Sequence, residues 1–147
     1  MQTLELLAPA KNLDCGIAAV DQGADAIYIG ASHHGARAAA GNSIEDIRSL
    51  CNYSHRFGVS VHATVNTIVY DQEVDEALKL VDQLADAGVD ALLIQDMGLL
   101  SLITDDSPLA MKLRQKRIAL HASTQCDTRS AEKVKWLSGL GLDRVVL

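Results

Sequence analysis

The chain has 147 residues, is 48% hydrophobic and 3% aromatic, and carries a formal net charge of −6. That length supports one domain with a sizeable core of Leu, Ile, Val and Ala. The acidic balance excludes a nucleic-acid binder that works by bulk charge alone, though not an enzyme with a local basic groove.

No apolar run approaches the ~20 residues that span a bilayer. The N-terminus lacks a basic segment followed by an apolar one, so no signal peptide is read. Three cysteines without close pairs argue against a disulfide framework. A cytoplasmic protein without membrane association is the expectation.

In chain order, residues 4–8 form a short apolar run closed by Pro9 and read as a first strand. Asn12 caps a helix with apolar Leu13, Ile17 and Val20, and Gly23 ends it. Residues 24–30 form the second strand, with Ile27 and Ile29 on one face and Ala26 and Tyr28 on the other. A small-residue loop, 31–42, comes next. Ser43 caps a helix carrying Ile44, Ile47, Leu50 and Cys51, and Gly58 stops it. Residues 59–66 form the third strand: Val59, Val61, Ala63 and Val65 share one face, and Ser60, His62, Thr64 and Asn66 the other.

Residues 73–87 make the clearest helix, with Val74, Ala77, Leu78, Val81, Leu84 and Ala85 at helical spacing. Gly88 ends it, and 89–96 is the fourth strand. Residues 97–102 and 109–114 read as one helix or two short ones around a break at 105–108. Residues 117–125 form the fifth strand, with Ile118, Leu120 and Ala122 facing one way and Ala119, His121, Ser123 and Gln125 the other. A helix over 130–140 and the start of a sixth strand at 142–147 complete the chain.

The phrases Gly-Ala-Asp-Ala-Ile at 23, Gly-Val-Asp-Ala-Leu at 88 and Gly-Leu-Asp-Arg-Val at 141 repeat each other. Gly-Val-Ser-Val at 58 is a looser copy. Strand, helix, Gly, strand implies right-handed crossovers and a parallel sheet. The fold class read here is α/β, a TIM-type barrel truncated after about six strands. A complete barrel takes about 250 residues, and the chain stops in the apolar Val145-Val146-Leu147, so 1–147 reads as one partial barrel domain of a longer protein. Such a piece, with two open sheet edges, is expected to self-associate.

The phrases Leu6-Leu7-Ala8-Pro9-Ala10, Gly23 to Gly30, Thr64-Val65-Asn66-Thr67, Ile94-Gln95-Asp96-Met97-Gly98, His121-Ala122-Ser123-Thr124-Gln125 and Arg144 to Leu147 stand in the order found in peptidase family U32. The sequence resembles the N-terminal part of that family over essentially its whole length. The resemblance implies a TIM-type barrel. It also implies an activity for the parent protein: RNA-base hydroxylation or a related hydroxylation is the first reading, and proteolysis, for which the family was named, is the alternative. Relatives act in ubiquinone hydroxylation with an iron–sulfur cluster. The family's signature cysteines have no counterpart here, so such a cluster is expected only in a full-length parent.

Polar residues at the carboxyl ends of barrel strands are where ligands bind. Tyr28, His62, Asn66, Gln95, His121, Ser123 and Gln125 are the candidates for a polar cup whose donors and acceptors suit a carboxylate, a base edge or a peptide, in a small polar or anionic substrate or an RNA, with Arg37 as a clamp for an anionic group. Lys11 has the same two readings as Arg37, an anion contact or a solvated side chain. The alternative for the cup is a set of residues that hydrogen-bond one another inside a narrow barrel. His121, Ser123 and Asp96 are the candidates for a catalytic triad, but same-face residues two apart on a strand lie about 7 Å apart at Cα, and a triad needs contact at roughly 3 Å. A third function class is a non-catalytic ligand- or RNA-binding piece. His33 and His34 point apart and suit no metal. Cys15 and Cys51 read as core thiols and Cys126 as exposed. Trp136 and Tyr53 read as helix packing.

Overall fold

The computed structural model describes residues 4–31 and 41–147. Strands β1 (Leu7–Ala10), β2 (Ala26–Gly30), β3 (Ser60–Val65), β4 (Ala91–Ile94), β5 (Ala119–Ala122) and β6 (Arg144–Val145) form one parallel sheet in the order 1-2-3-4-5-6. Helices α1 (Leu13–Asp21), α2 (Ile44–Ser54), α3 (Val74–Ala87), α4 (Met97–Thr104), α5 (Pro108–Lys116) and α6 (Ala131–Gly139) alternate with them. Strands that neighbour in space as they do in sequence exclude a doubly wound sheet, whose order reverses at a switch point. The architecture is a half-barrel.

The sheet is two-faced, as its alternation requires. Ile27, Ile29, Val61, Ala63, Val65, Leu92 and Ile94 are buried under the helices, where they meet Ile47, Leu50, Val81 and Leu84. The other face is concave. Glu5, just before β1, and Arg144, on β6, form a bidentate ion pair at 2.6 and 3.1 Å across 139 positions of sequence. A flat six-stranded sheet would hold its edges roughly 24 Å apart at the usual strand spacing, so the contact requires curling.

The repeated Gly-x-Asp phrase has a structural reason. Gly23, Gly88 and Gly141 take φ values of 89°, 96° and 93°, which end a helix and turn the chain into the next strand. The Asp two residues on then grips the neighbouring strand. Asp25 Oδ2 accepts the Leu6 N–H at 2.7 Å, Asp90 Oδ2 the Val61 N–H at 2.7 Å, and Asp143 Oδ2 the Leu120 N–H at 2.9 Å. Each Asp also donates its own N–H to the carbonyl of the residue it grips. The pairs β1–β2, β3–β4 and β5–β6 are thereby clamped at their entry ends. The looser copy at 58 has Ser60 in place of Asp.

Several boundaries differ from those the sequence suggests. β1 includes Pro9, because an edge strand has a side where a missing N–H costs nothing; Leu4 and Leu6 precede it and are exposed. β4 ends at Ile94 and β5 at Ala122, since the side chains of Asp96 and Ser123 cap the helical turns that begin there. Pro108 opens α5 behind the Ser107 cap. Cys15 is exposed and Cys126 buried, the reverse of expectation. Trp136 is half-exposed. Tyr53 donates its hydroxyl proton to Asp21 at 2.7 Å.

Arg117 ends α5 at φ 57°, the position where Gly23, Gly58, Gly88 and Gly141 end the other helices before strands β2, β3, β4 and β6. A side chain in this conformation costs about 1 kcal/mol. Replacing Arg117 with Gly is expected to raise stability by about 0.5–1 kcal/mol in urea denaturation; an unchanged or lower midpoint would contradict it.

Candidate functional site

The pairing registers place Pro9, Tyr28, His62, Ala91 and Ala119 in one row across the concave face, and Gly30, Thr64, Leu93, His121 and Arg144 in the next. His62 on β3 and His121 on β5 are separated by β4. Their rings nevertheless meet edge to face, with centroids 5.0 Å apart and planes at 89°. Ala91, beside His62 on the intervening strand, is small enough to let them meet. Toward the carboxyl ends, Asn66 Nδ2 donates to Ser123 Oγ at 3.0 Å, again bridging β3 and β5. Below, Glu5 and Arg144 close the entry end.

Both histidines are only 4% exposed. Burial pushes the His121 pKa down to about 4, with the charges of His62 and Arg144 acting in the same direction and those of Asp143 and Glu5 opposing. Burial lowers His62 as well, against the pull of Glu5. Both imidazoles are therefore neutral near pH 7, each with one donor and one acceptor nitrogen. His62 Nδ1 is buried and has no hydrogen-bond partner among the described residues. The Arg144 guanidinium holds the Glu5 carboxyl below the usual range.

The structure thus brings His62, Asn66, His121 and Ser123 onto one concave surface, with half-buried Tyr28 on the same face and half-buried Gln95 just past β4. Gln125 does not join them: it sits exposed in a 3-10 turn at Thr124–Cys126, after the strand has ended. Asp96 is also elsewhere engaged. It caps α4, Oδ1 accepting from Leu99 N at 2.8 Å and Oδ2 from Val69 N at 3.3 Å. His121 packs on His62, and Ser123 Oγ meets Asn66, so His121, Ser123 and Asp96 are not assembled as a triad. Arg37, His33 and His34 lie outside the described residues. Lys11 is exposed, and its carbonyl accepts from the buried Asn42 side chain, which also holds the Gly30 carbonyl.

Among the described residues, no group of three or more His, Cys, Asp or Glu side chains could hold a metal ion. Cys15, Cys51 and Cys126 sit on separate elements. These residues do not fit an iron–sulfur cluster. Nor, among the described residues, is any helix long and apolar enough to cross a membrane. Glu5 and Arg144 are parts of this surface that sequence reasoning missed, since no local signal pairs them. Thr64, which alternation places on this face, joins it without being among the candidates.

Known proteins point the same way as the fold. The model of peptidase family U32 matches residues 11–147. The "23S rRNA 5-hydroxycytidine C2501 synthase" of Escherichia coli is 46% identical over 144 residues, covering 98% of this chain and 20% of that protein. The "tRNA hydroxylation protein P1" of Bacillus subtilis is 31% identical over 144 residues, covering 97% of this chain and 32% of that one. This chain therefore spans about a fifth to a third of the length of these relatives. Among solved structures, a U32 peptidase superposes with a TM-score of 0.70 at 16% identity, over 99% of this chain and 60% of that chain. With residues 11–147 matched throughout by its model, this half-barrel belongs to peptidase family U32.

Proposed function

We propose that this chain is the barrel sector of a cytoplasmic RNA-hydroxylating enzyme, and that its concave face between His62 and Ser123 receives the polar edge of a nucleobase or a small polar co-substrate. The observation that carries the reading is the 46% identity, over nearly the whole chain, to a protein named for making 5-hydroxycytidine in ribosomal RNA. The surface chemistry agrees. Neutral histidines, an amide and a hydroxyl offer paired donors and acceptors, as an uncharged pyrimidine edge requires. The unpaired His62 Nδ1 leaves a buried polar atom that a ligand or water would satisfy. No step is assigned to an iron–sulfur cluster, because the cysteines here do not form its ligand set.

The protease reading needs an activated nucleophile. Ser123 accepts from Asn66 rather than from an imidazole, and Asp96 is occupied as a helix cap. Nucleoside mass spectrometry of ribosomal and transfer RNA from a deletion strain tests the hydroxylation reading. A hydroxylated pyrimidine is expected to fall at least about tenfold, to return with the wild-type gene, and to stay low with Asn66→Ala. An unchanged nucleoside profile would sink it. Peptide cleavage abolished by Ser123→Ala would favour the protease instead.

The 147-residue chain is also proposed to self-associate. Among the described residues its edge strands β1 and β6 each pair on one side only, and Leu4, Leu6 and Leu147 are exposed beside them. Light scattering is expected to give a mass that rises with concentration. A constant monomer mass would overturn the expectation.

A further inference from the structure

Charge is unevenly distributed along this acidic chain. Residues 112–147 carry eight Lys and Arg against three Asp and Glu, whereas residues 1–111 carry five against sixteen. The basic stretch is one sector of the half-barrel: α5, β5, α6 and β6. A groove of about 900 Å³ opens there, lined by Arg114 and Arg117 from the α5 end, Gly139 and Leu140 from the α6 end, and Arg144 of β6. Trp136 lies one helical turn before Leu140, whose N–H donates to the Trp136 carbonyl. That spacing puts Trp136 on the face of α6 that carries Leu140, and Lys135 one turn before Gly139; Leu140 and Gly139 both line the groove. Trp136 is 52% exposed and is the single Trp of the chain.

Much of the sector's charge is already engaged. Lys112 and Lys116 pair with Asp82 and Asp86 of α3. Arg129 pairs with Asp127 and Arg144 with Glu5. Lys133 is held by the carbonyls of Cys126 and Asp127. Arg114 donates to the Thr104 and Asp105 carbonyls and stands 3.7 Å from Asp106. Of this sector's cations, Arg117, Lys133 and Lys135 pair with no carboxylate among the described residues, and of these only Lys133 has its charged group held by backbone carbonyls. Arg117 also occupies a backbone conformation that the sister positions give to glycine, so its side chain is kept at a cost in stability.

We propose that the groove between α5 and α6 is a docking track for single-stranded RNA, with Arg117, Lys135 and Arg114 meeting phosphates and Trp136 stacking on an unpaired base. Basic walls beside an exposed aromatic ring match the two needs of a single strand, charge for its backbone and a flat surface for its bases. The choice of RNA over another polyanion rests on the hydroxylation reading; the surface itself rests on charge and exposure.

The test titrates the chain with a labelled single-stranded RNA of about twelve nucleotides at low and moderate salt, following anisotropy and Trp136 emission. Emission is expected to be quenched on binding. Arg117→Gln with Lys135→Gln is expected to weaken binding about tenfold at low salt. It is also expected to reduce the log–log salt slope by about 1.4, roughly 0.7 for each phosphate that is no longer neutralised. Trp136→Leu is expected to weaken binding about fivefold or more. Thermal melts by circular dichroism establish that each variant is folded. RNA binding that is equally tight in the double variant, with Trp136 emission unchanged, would overturn the proposal and leave the hydroxylation reading standing. So would an absence of RNA binding at low salt. Unchanged cellular nucleosides with groove binding intact would do the opposite, sinking the hydroxylation reading while this surface stands.

Discussion

Acidification from pH 7 to pH 4 is expected to remove about 3 kcal/mol of stability through His121 alone. Its folded pKa of about 4 lies below the usual value of 6.5, with burial as the main cause. A lowered folded pKa means that the unfolded chain takes the proton first. Above about pH 6.5 both states are neutral and the effect is absent. Between about 6.5 and 4 the unfolded state is increasingly favoured, and below about 4 both states are charged and the loss stops growing. His62, lowered for the same reason, acts in the same direction. The other charged groups that act on this pair are Glu5, Arg144, Asp143 and Asp90. Glu5, held below its ordinary value by Arg144, gives up its contribution only at the acid end of the window. Urea denaturation at several pH values, on wild type and on His121→Gln, isolates the effect of this ring. The two stabilities are expected to converge as pH falls, because the variant lacks the titrating imidazole. Parallel pH profiles would mean that the imidazole is not buried neutral.

Replacing Asp25, Asp90 and Asp143 together with Ala is expected to cost roughly 3 kcal/mol, about 1 kcal/mol for each clamp. Each carboxylate accepts the backbone N–H of a neighbouring strand's entry. The three sites lie on different strand pairs and share no partner, so their costs add. All three side chains are partly in water, which keeps each value at the low end for a charged acceptor. Asn at the same positions keeps a carbonyl acceptor and is expected to cost less. Denaturant titration of the single and triple variants reads this directly. A triple Ala variant as stable as wild type would reduce the repeat to a consequence of the glycine turns.

The repeat shows how far local pattern reaches. Gly at 23, 88 and 141 marks the turns, because a left-handed residue is a property of one position and its neighbours. The Asp two places later is visible as a repeated letter, but its partner on another strand is not. Alternation is local, so it correctly assigns His62 and His121 to the polar face of their strands. It assigns Gln125 there as well, wrongly, because Ser123 caps a turn and ends the alternation before Gln125 is reached. Asp96 fails for the same reason: a capping carboxylate bonds to the backbone beside it and ceases to be available to the sheet.

Sequence alone determined the order of strands and helices, the glycine stops, the face each strand residue takes and the family. These rest on dihedral preference and on periods of two and 3.6 residues, which need only near neighbours. The truncated barrel is also legible in the sequence, and the tertiary structure decided how its two edges meet. It also decided that His62 meets His121 across a strand, that Glu5 reaches Arg144, and that Arg114 and Arg117 line one groove with the end of α6. Those contacts join residues far apart in the chain. They depend on the summed twist of six strands and the bulk of what lies between them, which no short window of sequence contains.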